Sequence, residues 1–174
     1  MSIKNIHITG AVISAVLGVL LHFAYDFFGG LDFVAIFSAV NESTWEHLKL
    51  LYFPVVLLAI AEYFIYGKNT AGFWASKTIA LVVSMLSIVT VFYTYTGVLG
   101  ENVSVINIML FLAAVVLNYY LSYSFIELNA FENPSLNRAS VFVLILLFIC
   151  FWVFTFYPPL INLFRDPVSG GFGI

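Results

Sequence analysis

Charged side chains are scarce in this 174-residue sequence, and the scarcity excludes whole classes of protein. Only 9% of the residues are Asp, Glu, Lys or Arg, compared with about 25% in soluble domains. A soluble domain of this length needs far more charge on its surface, so an ordinary soluble protein is excluded. The six Lys and Arg residues form no basic stretch, and we therefore expect no nucleic-acid partner.

Cysteine is nearly absent as well. Cys150 is the single cysteine of the chain and lies within an apolar run. One cysteine cannot supply an intramolecular disulfide, a Cys-x-x-Cys redox motif or a cysteine-rich zinc site. The chemistry of any polar site must therefore come from other side chains.

Hydrophobic residues, in contrast, make up 63% of the chain and form long runs. A helix needs about 20 mostly apolar residues to cross a bilayer. Five runs meet this requirement, at about 8–28, 48–66, 73–97, 103–126 and 139–157. The second run contains Pro54, which should kink the helix or mark the end of a separate first turn. A further apolar stretch, 31–40, is too short to cross and predicts an interfacial or re-entrant segment.

The runs predict an all-α fold, a polytopic membrane helix bundle of about five transmembrane helices in a single domain over residues 1–174. The positive-inside rule assigns to the cytoplasm the side with more basic residues, which carries Lys4, Lys68, Lys77 and Arg138. The N-terminus is then cytoplasmic in a multi-pass protein of the cell membrane, and the apolar tail 158–174 lies outside. Six of the nine acidic residues also fall on the outer side.

Two segments on the outer side carry polar residues that a purely structural bundle would not need. In the first helix, His22 and Asp26 stand four residues apart on one helix face, where they either share a proton or ligate one ion. The second segment reads Asn-Glu-Ser-Thr-Trp-Glu-His-Leu-Lys over residues 41–49. Asn41 is a favourable N-cap for the helix that follows, and Glu42 would then fall in its first turn.

If the first two long helices are neighbours, these segments bring two imidazoles and up to three carboxylates into one pocket. We therefore expect a divalent metal site, with zinc as the favoured ion and with the ligands His22, Asp26, Glu42 and His47. Ser43 and Glu46 would take the catalytic roles, since a carboxylate can act as a general base on a metal-bound water. The alternatives are a buried His22–Asp26 hydrogen bond, helix capping, and an interfacial Glu46–Lys49 pair.

A second polar group lies near the predicted cytoplasmic ends of the helices. It comprises His7, Glu62 and Glu127, each within a turn or two of the end of its run. Polar side chains in such positions reach the interface by snorkelling, which is the interpretation we favour. If the three residues were joined instead, acidic groups at both faces would suit a path for protons or cations.

The last 17 residues form an apolar segment rich in turn residues. Pro158 and Pro159 stop the fifth long helix. On the outer face, segment 158–174 either folds over the acidic pocket as a lid, with Arg165 paired to a carboxylate, or packs against the membrane surface.

Two stretches of the sequence carry a resemblance to a known family. The stretch NESTWEHLKLLYFP, with a terminal FYPP followed by LF-x-DP-x-x-G-x-x-GI, resembles a group of uncharacterised small bacterial membrane proteins with several helices. The resemblance implies a five-helix membrane fold and brings no established activity. A more distant likeness is to the ceramidase and progestin-receptor-like membrane hydrolases, whose zinc ligands are similar to Ser43-x-x-x-His47 and Asp26. The late histidine pair of those hydrolases is missing here, and five spans replace seven.

Three hypotheses of function follow from the sequence. The leading one is a divalent-metal-dependent hydrolase of the membrane that acts on a lipid-like substrate, with membrane lipids as its surroundings. The others are a proton- or cation-coupled transporter or ion-binding module, and a non-catalytic membrane assembly subunit. An outer pocket closed to the cytoplasmic group favours the enzyme, whereas a connected polar track favours the transporter.

Overall fold

Capping residues and glycines divide the chain into long helices. Across residues 2–174, which a computed structural model describes, five long helices and one short one are present and no strand is found. Their bounds are α1 (Ile3–Phe27), α2 (Asp32–Ala35), α3 (Thr44–Ile65), α4 (Phe73–Leu99), α5 (Ser104–Glu127) and α6 (Pro134–Phe156). All five long helices are long and apolar enough to cross a membrane. The predicted all-α bundle with five spans is therefore confirmed.

Three of the long helices begin outside the apolar runs because a polar residue caps them. The hydroxyl of Ser2 accepts a hydrogen bond from the Asn5 backbone N–H, and Ser43 and Asn133 cap α3 and α6 in the same way. Such caps satisfy backbone N–H groups that lack a partner in the first turn. The runs of hydrophobicity therefore located the helices but placed several of their starts a few residues too late.

The second span is a single helix. α3 runs without a break from Thr44 through Pro54 to Ile65, so the alternative of a separate first turn is wrong. Segment 31–40 forms the short α2 and a turn, and its residues Ala35, Ser38 and Ala39 are buried against the bundle. The segment packs one side against the bundle without crossing it, as expected from its length, and its first residues 31–33 are exposed.

The helices pack with α3 at the centre of one face of the bundle. α1 lies against α3 and α5, and α4 lies against α3, α5 and α6. A cluster of buried apolar residues fills the middle of the bundle and includes Leu51, Val55, Leu81, Met85 and Val115. Large apolar side chains cover the outside of the helices, which matches a bundle whose solvent is lipid.

The bundle has two ends with different polar groups. α1 and α3 run in opposite directions, so the end of α1 meets the start of α3 at what we call the His22 end. The start of α1 meets the end of α3 and the start of α4 at what we call the Lys77 end. On α1, His7 and His22 are separated by 15 residues, which corresponds to about 22 Å along a helix.

Candidate functional site

The start of α3 builds the polar site at the His22 end. Ser43 is the N-cap, and its hydroxyl accepts a hydrogen bond from the Glu46 backbone N–H at 3.3 Å. The expectation that Asn41 caps the helix is wrong, because the Asn41 side chain instead accepts the Ser43 backbone N–H at 2.9 Å. A Ser-x-x-Glu sequence is a recognised N-terminal signature, so Ser43 and Glu46 contained the correct signal. Glu42 consequently lies before the helix and not in its first turn.

His22, Glu42 and His47 come together at this end, and we call them the His–Glu cluster. The Nε2 atom of His22 lies 3.8 Å from Oε1 of Glu42, and Nε2 of His47 lies 3.5 Å from Oε2 of the same carboxylate. One possible ligand atom from each residue lies within 4.8 Å of the other two. The two imidazole side chains are about 30% exposed and Glu42 is 49% exposed, so the cluster is open to solvent.

Hydrogen bonding fixes the orientation of His47. Its Nδ1 lies 2.9 Å from the backbone carbonyl of Ser43, and since a carbonyl can only accept, Nδ1 carries the proton. The Nε2 lone pair then points into the cluster in the neutral ring. Backbone carbonyls commonly orient metal-binding histidines in this manner. The Nδ1 of His22 is buried without a hydrogen-bond partner among residues 2–174.

A glycine allows α1 to approach α3 closely enough to form the cluster. Gly18 lies one turn before His22, and a Cβ atom at this position would sit 2.7 Å from the Leu50 carbonyl oxygen. It would also lie 2.4 Å from the ring of Phe111 on α5. Only a residue without a side chain fits this contact, which sets the distance between the two imidazoles.

Glu46 faces away from the His–Glu cluster and into the protein. Its carboxylate forms an ion pair with Lys49 at 2.5 Å, and both side chains are at most 2% exposed. The carboxylate also accepts hydrogen bonds from the Val40 backbone N–H and from the Thr155 hydroxyl on α6. The Lys49 ammonium donates to the backbone carbonyls of Ala35 and Ser38. The Glu46–Lys49 pair, which was expected at the interface, is thus buried. Its hydrogen bonds to the backbone connect segment 31–40 to α3.

The two other residues predicted for the site have separate positions. The Ser43 hydroxyl is engaged as the helix cap, while its carbonyl orients His47. Asp26 is exposed near the end of α1 and lies outside the one group of possible metal ligands found in the described chain. Of the four predicted ligands, three therefore come together and Asp26 does not join them.

The C-terminal tail packs against the start of α3. The buried ring of Phe164 stacks on Trp45 with a centroid distance of 4.8 Å. The Asn41 side chain donates a hydrogen bond to the Gly173 carbonyl at 2.9 Å. Arg165 is exposed and forms none of the ion pairs within residues 2–174, so the expected pairing with a carboxylate is not found.

Two adjacent cavities open beside the cluster. The first has a volume of about 60 Å³ and includes Glu42 and His47 together with the apolar side chains Leu50, Ile88, Leu110 and Phe111. The second has a volume of about 360 Å³ and lies between α4 and the tail, with Arg165 and Asp166 in its wall. Thr44 and Phe92 line both cavities, which places them side by side.

The Lys77 end contains a separate buried network. Lys77 of α4 forms an ion pair with Glu62 of α3, and its ammonium donates to His7 Nε2 at 3.2 Å. The Ser122 hydroxyl lies 3.1 Å from the same nitrogen, and the Tyr66 hydroxyl donates to Glu62 at 2.7 Å. His7 and Glu62 are 3% and 4% exposed, so the expectation that they snorkel to the interface is wrong.

The partner that sequence reasoning missed is Lys77. Lys77 lies inside the apolar run 73–97, where a charge requires a buried partner, and this position was the available signal. Glu127, in contrast, is exposed at the end of α5 and does not join this network. The apolar cluster in the middle of the bundle lies between the two polar ends.

A family model described as "Family of unknown function (DUF6512)" matches residues 2–174. The chain therefore belongs to this family, in agreement with the resemblance to an uncharacterised family. No curated protein and no solved structure matches the chain significantly. The likeness to the ceramidase and progestin-receptor-like hydrolases gains no support from these comparisons.

Proposed function

We propose that the His–Glu cluster binds a divalent metal ion, with zinc as the favoured ion, and that the bound ion hydrolyses a lipid-like substrate. The observation that carries this proposal is the convergence of two imidazoles and one carboxylate from separate segments, with their ligand atoms within 4.8 Å.

The distances suit zinc. Zinc binds nitrogen and oxygen at about 2.0–2.2 Å, so ligand atoms in a tetrahedral site lie about 3.4 Å apart. The separations of the two imidazole nitrogens from Glu42 are 3.5 Å and 3.8 Å, each to a different oxygen of the carboxylate. One ligand atom from each residue lies within 4.8 Å of the other two, so the side chains would move closer together around a bound ion.

Three protein ligands are the number found in catalytic zinc sites, where the fourth position is open. An ion bound in this way lowers the pKa of its water to about 7 and so supplies a nucleophile at neutral pH. Ser43 contributes by orienting His47 through its carbonyl, and Glu46 contributes by fixing the segment that carries Glu42. We assign to both the role of positioning residues instead of the catalytic roles predicted from the sequence.

The cavity beside the cluster supports a lipid-like substrate. Its wall combines the metal ligands Glu42 and His47 with apolar side chains from α3, α4 and α5. The cavity of about 60 Å³ is small, so an amphiphile would place there only its reacting bond, beside the ion, and the adjoining end of its apolar chain, with the rest of the chain outside the cavity. The apolar cluster between the two ends supports such local chemistry over a transport path to Glu62.

Metal analysis tests the first half of the proposal. The purified protein is stripped of metal, reloaded with zinc and measured by elemental analysis. We expect about one zinc per chain, with most of it lost in His22→Ala and His47→Ala. Asp26→Asn is the matched control, since it removes a nearby charge outside the cluster and should keep the ion. Wild-type protein without zinc, or unchanged zinc in both histidine variants, would refute the site.

Hydrolysis is tested separately with amphiphiles that carry an ester, amide or phosphoester bond. The zinc-loaded protein should cleave at least one of these classes, and Glu42→Gln should lower the rate by more than about tenfold. If the protein binds zinc but cleaves none of the three classes, the metal site stands and the proposed hydrolase activity is refuted.

A further inference from the structure

Arg165 is the cation available to a ligand at the His22 end. The other nearby cation, Lys49, is fully buried and committed to Glu46 and to two backbone carbonyls. Arg165 is exposed, lies in the wall of the larger cavity and takes part in no ion pair within residues 2–174. A cavity at a membrane boundary with an uncommitted guanidinium attracts an anionic group.

The tail holds this arginine in a fixed place. On one side of it, the buried ring of Phe164 packs against Trp45 in a tilted arrangement and against Phe154 edge to face. The backbone of Arg165 forms an isolated antiparallel bridge with Phe172. On the other side, Asp166 accepts hydrogen bonds from the Val168 N–H at 2.8 Å and the Ser169 hydroxyl at 2.6 Å. These contacts hold the backbone at Arg165 in place beside the cavity, although its exposed side chain keeps its own freedom.

The rest of the cavity wall also suits an anion. Thr44 is the first residue of α3, so the positive end of a 22-residue helix faces this region. Asn162 and Tyr93 add polar side chains to the wall. The Asp166 carboxylate lines the same cavity and keeps its negative charge, while both of its oxygens accept hydrogen bonds within the tail turn, from the Val168 N–H and the Ser169 hydroxyl.

We propose that this cavity binds the phosphate group of a phospholipid headgroup, and that Arg165 is its principal contact. This inference rests on the proposed function, because it names the class of the lipid-like substrate. A guanidinium binds a phosphate group through two parallel hydrogen bonds. In a confined cavity, the bulky choline group of a zwitterionic phospholipid would hinder these hydrogen bonds. The phosphate would then lie on one side of the His–Glu cluster and the acyl chain on the other.

Binding of fluorescent phosphatidic acid to the detergent-solubilised full chain tests the proposal. We expect Arg165→Gln to weaken binding by about tenfold or more, since the phosphate loses charge-assisted hydrogen bonds. Arg165→Lys keeps the charge without the paired hydrogen bonds and should give an intermediate affinity. Lys68→Gln is the matched control, because Lys68 is an exposed cation at the opposite end and its loss should leave the affinity unchanged.

The remaining arms separate the possible sources of the phosphate. Fluorescent phosphatidylcholine should bind more weakly than phosphatidic acid, and inorganic phosphate should compete poorly because it lacks an acyl chain. Equal binding by Arg165→Gln and wild type, or equal binding of the two lipids, overturns the proposal. If inorganic phosphate displaces the lipid with an affinity equal to that of the lipid itself, the ligand is free phosphate and not a phospholipid. Zinc content is measured on the same samples: Arg165→Gln should keep its zinc while it loses phosphatidic acid, so failure of this site is distinguishable from failure of the metal site.

Discussion

Nε2 of His47 lies 3.5 Å from Oε2 of Glu42. In the sequence the two residues flank Ser43, the residue that caps α3. This proximity follows from the local fold, because Ser43 turns the chain into the helix and its carbonyl holds the imidazole. Two of the three cluster residues therefore come from one helix start. The third, His22, depends on how closely α1 packs against α3.

The packing of α1 can be tested at Gly18. A Gly18→Ala variant places a methyl group 2.7 Å from the Leu50 carbonyl oxygen, so α1 must shift away from α3. We expect zinc affinity to fall by about tenfold or more, as for changes in residues that support metal ligands. Isothermal titration of the metal-free protein with zinc measures the effect.

Gly97→Ala is the control for this variant. Gly97 also lies within a helix, but a Cβ atom there meets nothing within 4 Å. This variant should leave zinc affinity unchanged and should stabilise α4 slightly, because alanine favours helix over glycine by about 1 kcal/mol. Equal zinc affinity in Gly18→Ala and wild type would mean that helix spacing does not govern the cluster.

The buried Glu46–Lys49 pair makes a second prediction. Lys49→Met leaves the Glu46 carboxylate buried without its cation, and such losses cost about 3–5 kcal/mol. The double variant Glu46→Gln with Lys49→Met removes both charges while the amide oxygen can still accept the Val40 N–H. It should recover much of the lost stability in thermal unfolding experiments in detergent. A double variant less stable than Lys49→Met would contradict the idea that the unpaired charge causes the loss.

The Lys77 end should be independent of the metal site. Lys77→Met leaves the Glu62 carboxylate buried without its cation and removes the hydrogen bond from Lys77 to His7. Thermal stability should therefore fall by an amount similar to that in Lys49→Met. Zinc affinity of the folded variant should stay at the wild-type value, because about 22 Å of helix separates the two ends. Coupled loss of zinc binding would instead point to a link through the bundle and favour a transport role.

The tail turn should respond to acid. Burial raises the pKa of the Asp166 carboxyl, but hydrogen bonds donated by Ser169 and the Val168 N–H outweigh this and hold the pKa below its usual value. The turn is therefore stabilised above the ordinary pKa of about 4, and this stabilisation is lost as the pH falls through the lower folded value.

Trp45 fluorescence can report on this change, since Phe164 stacks on its ring. In a variant with the other two tryptophans replaced by phenylalanine, the signal should change below about pH 4. Asp166→Asn should lack this transition. If both forms show the same acid transition, another group is responsible.

Much of the fold could be predicted from composition because the bilayer imposes simple length and hydrophobicity rules. The five long helices, and the short segment 31–40 that does not cross the bundle, followed from apolar runs alone. The helix starts were less accurate because capping is local hydrogen bonding, as at Ser43, and leaves little trace in hydrophobicity. The Ser-x-x-Glu pattern at residues 43–46 contained that information.

The site was harder to predict because it depends on which way each side chain faces. His22 and His47 lie on two helices that approach closely at Gly18, and no local pattern in the sequence shows this approach. Glu46 was expected in the same pocket as His47. Consecutive residues of a helix differ by about 100° around its axis, and Glu46 faces Lys49 and the interior while His47 faces the cluster. The charge at Lys77 was visible in the sequence, but its two partners, Glu62 and His7, lie on two other helices and no local pattern connects them.

X-ray absorption at the zinc edge of the reloaded protein tests the central claim most directly. The His–Glu cluster predicts only nitrogen and oxygen neighbours at about 2.0–2.2 Å, with the multiple-scattering signature of two imidazoles. His47→Ala should reduce that signature to one imidazole in whatever zinc remains bound. A spectrum without imidazole, or one that His22→Ala and His47→Ala leave unchanged, would contradict a metal site built from these residues.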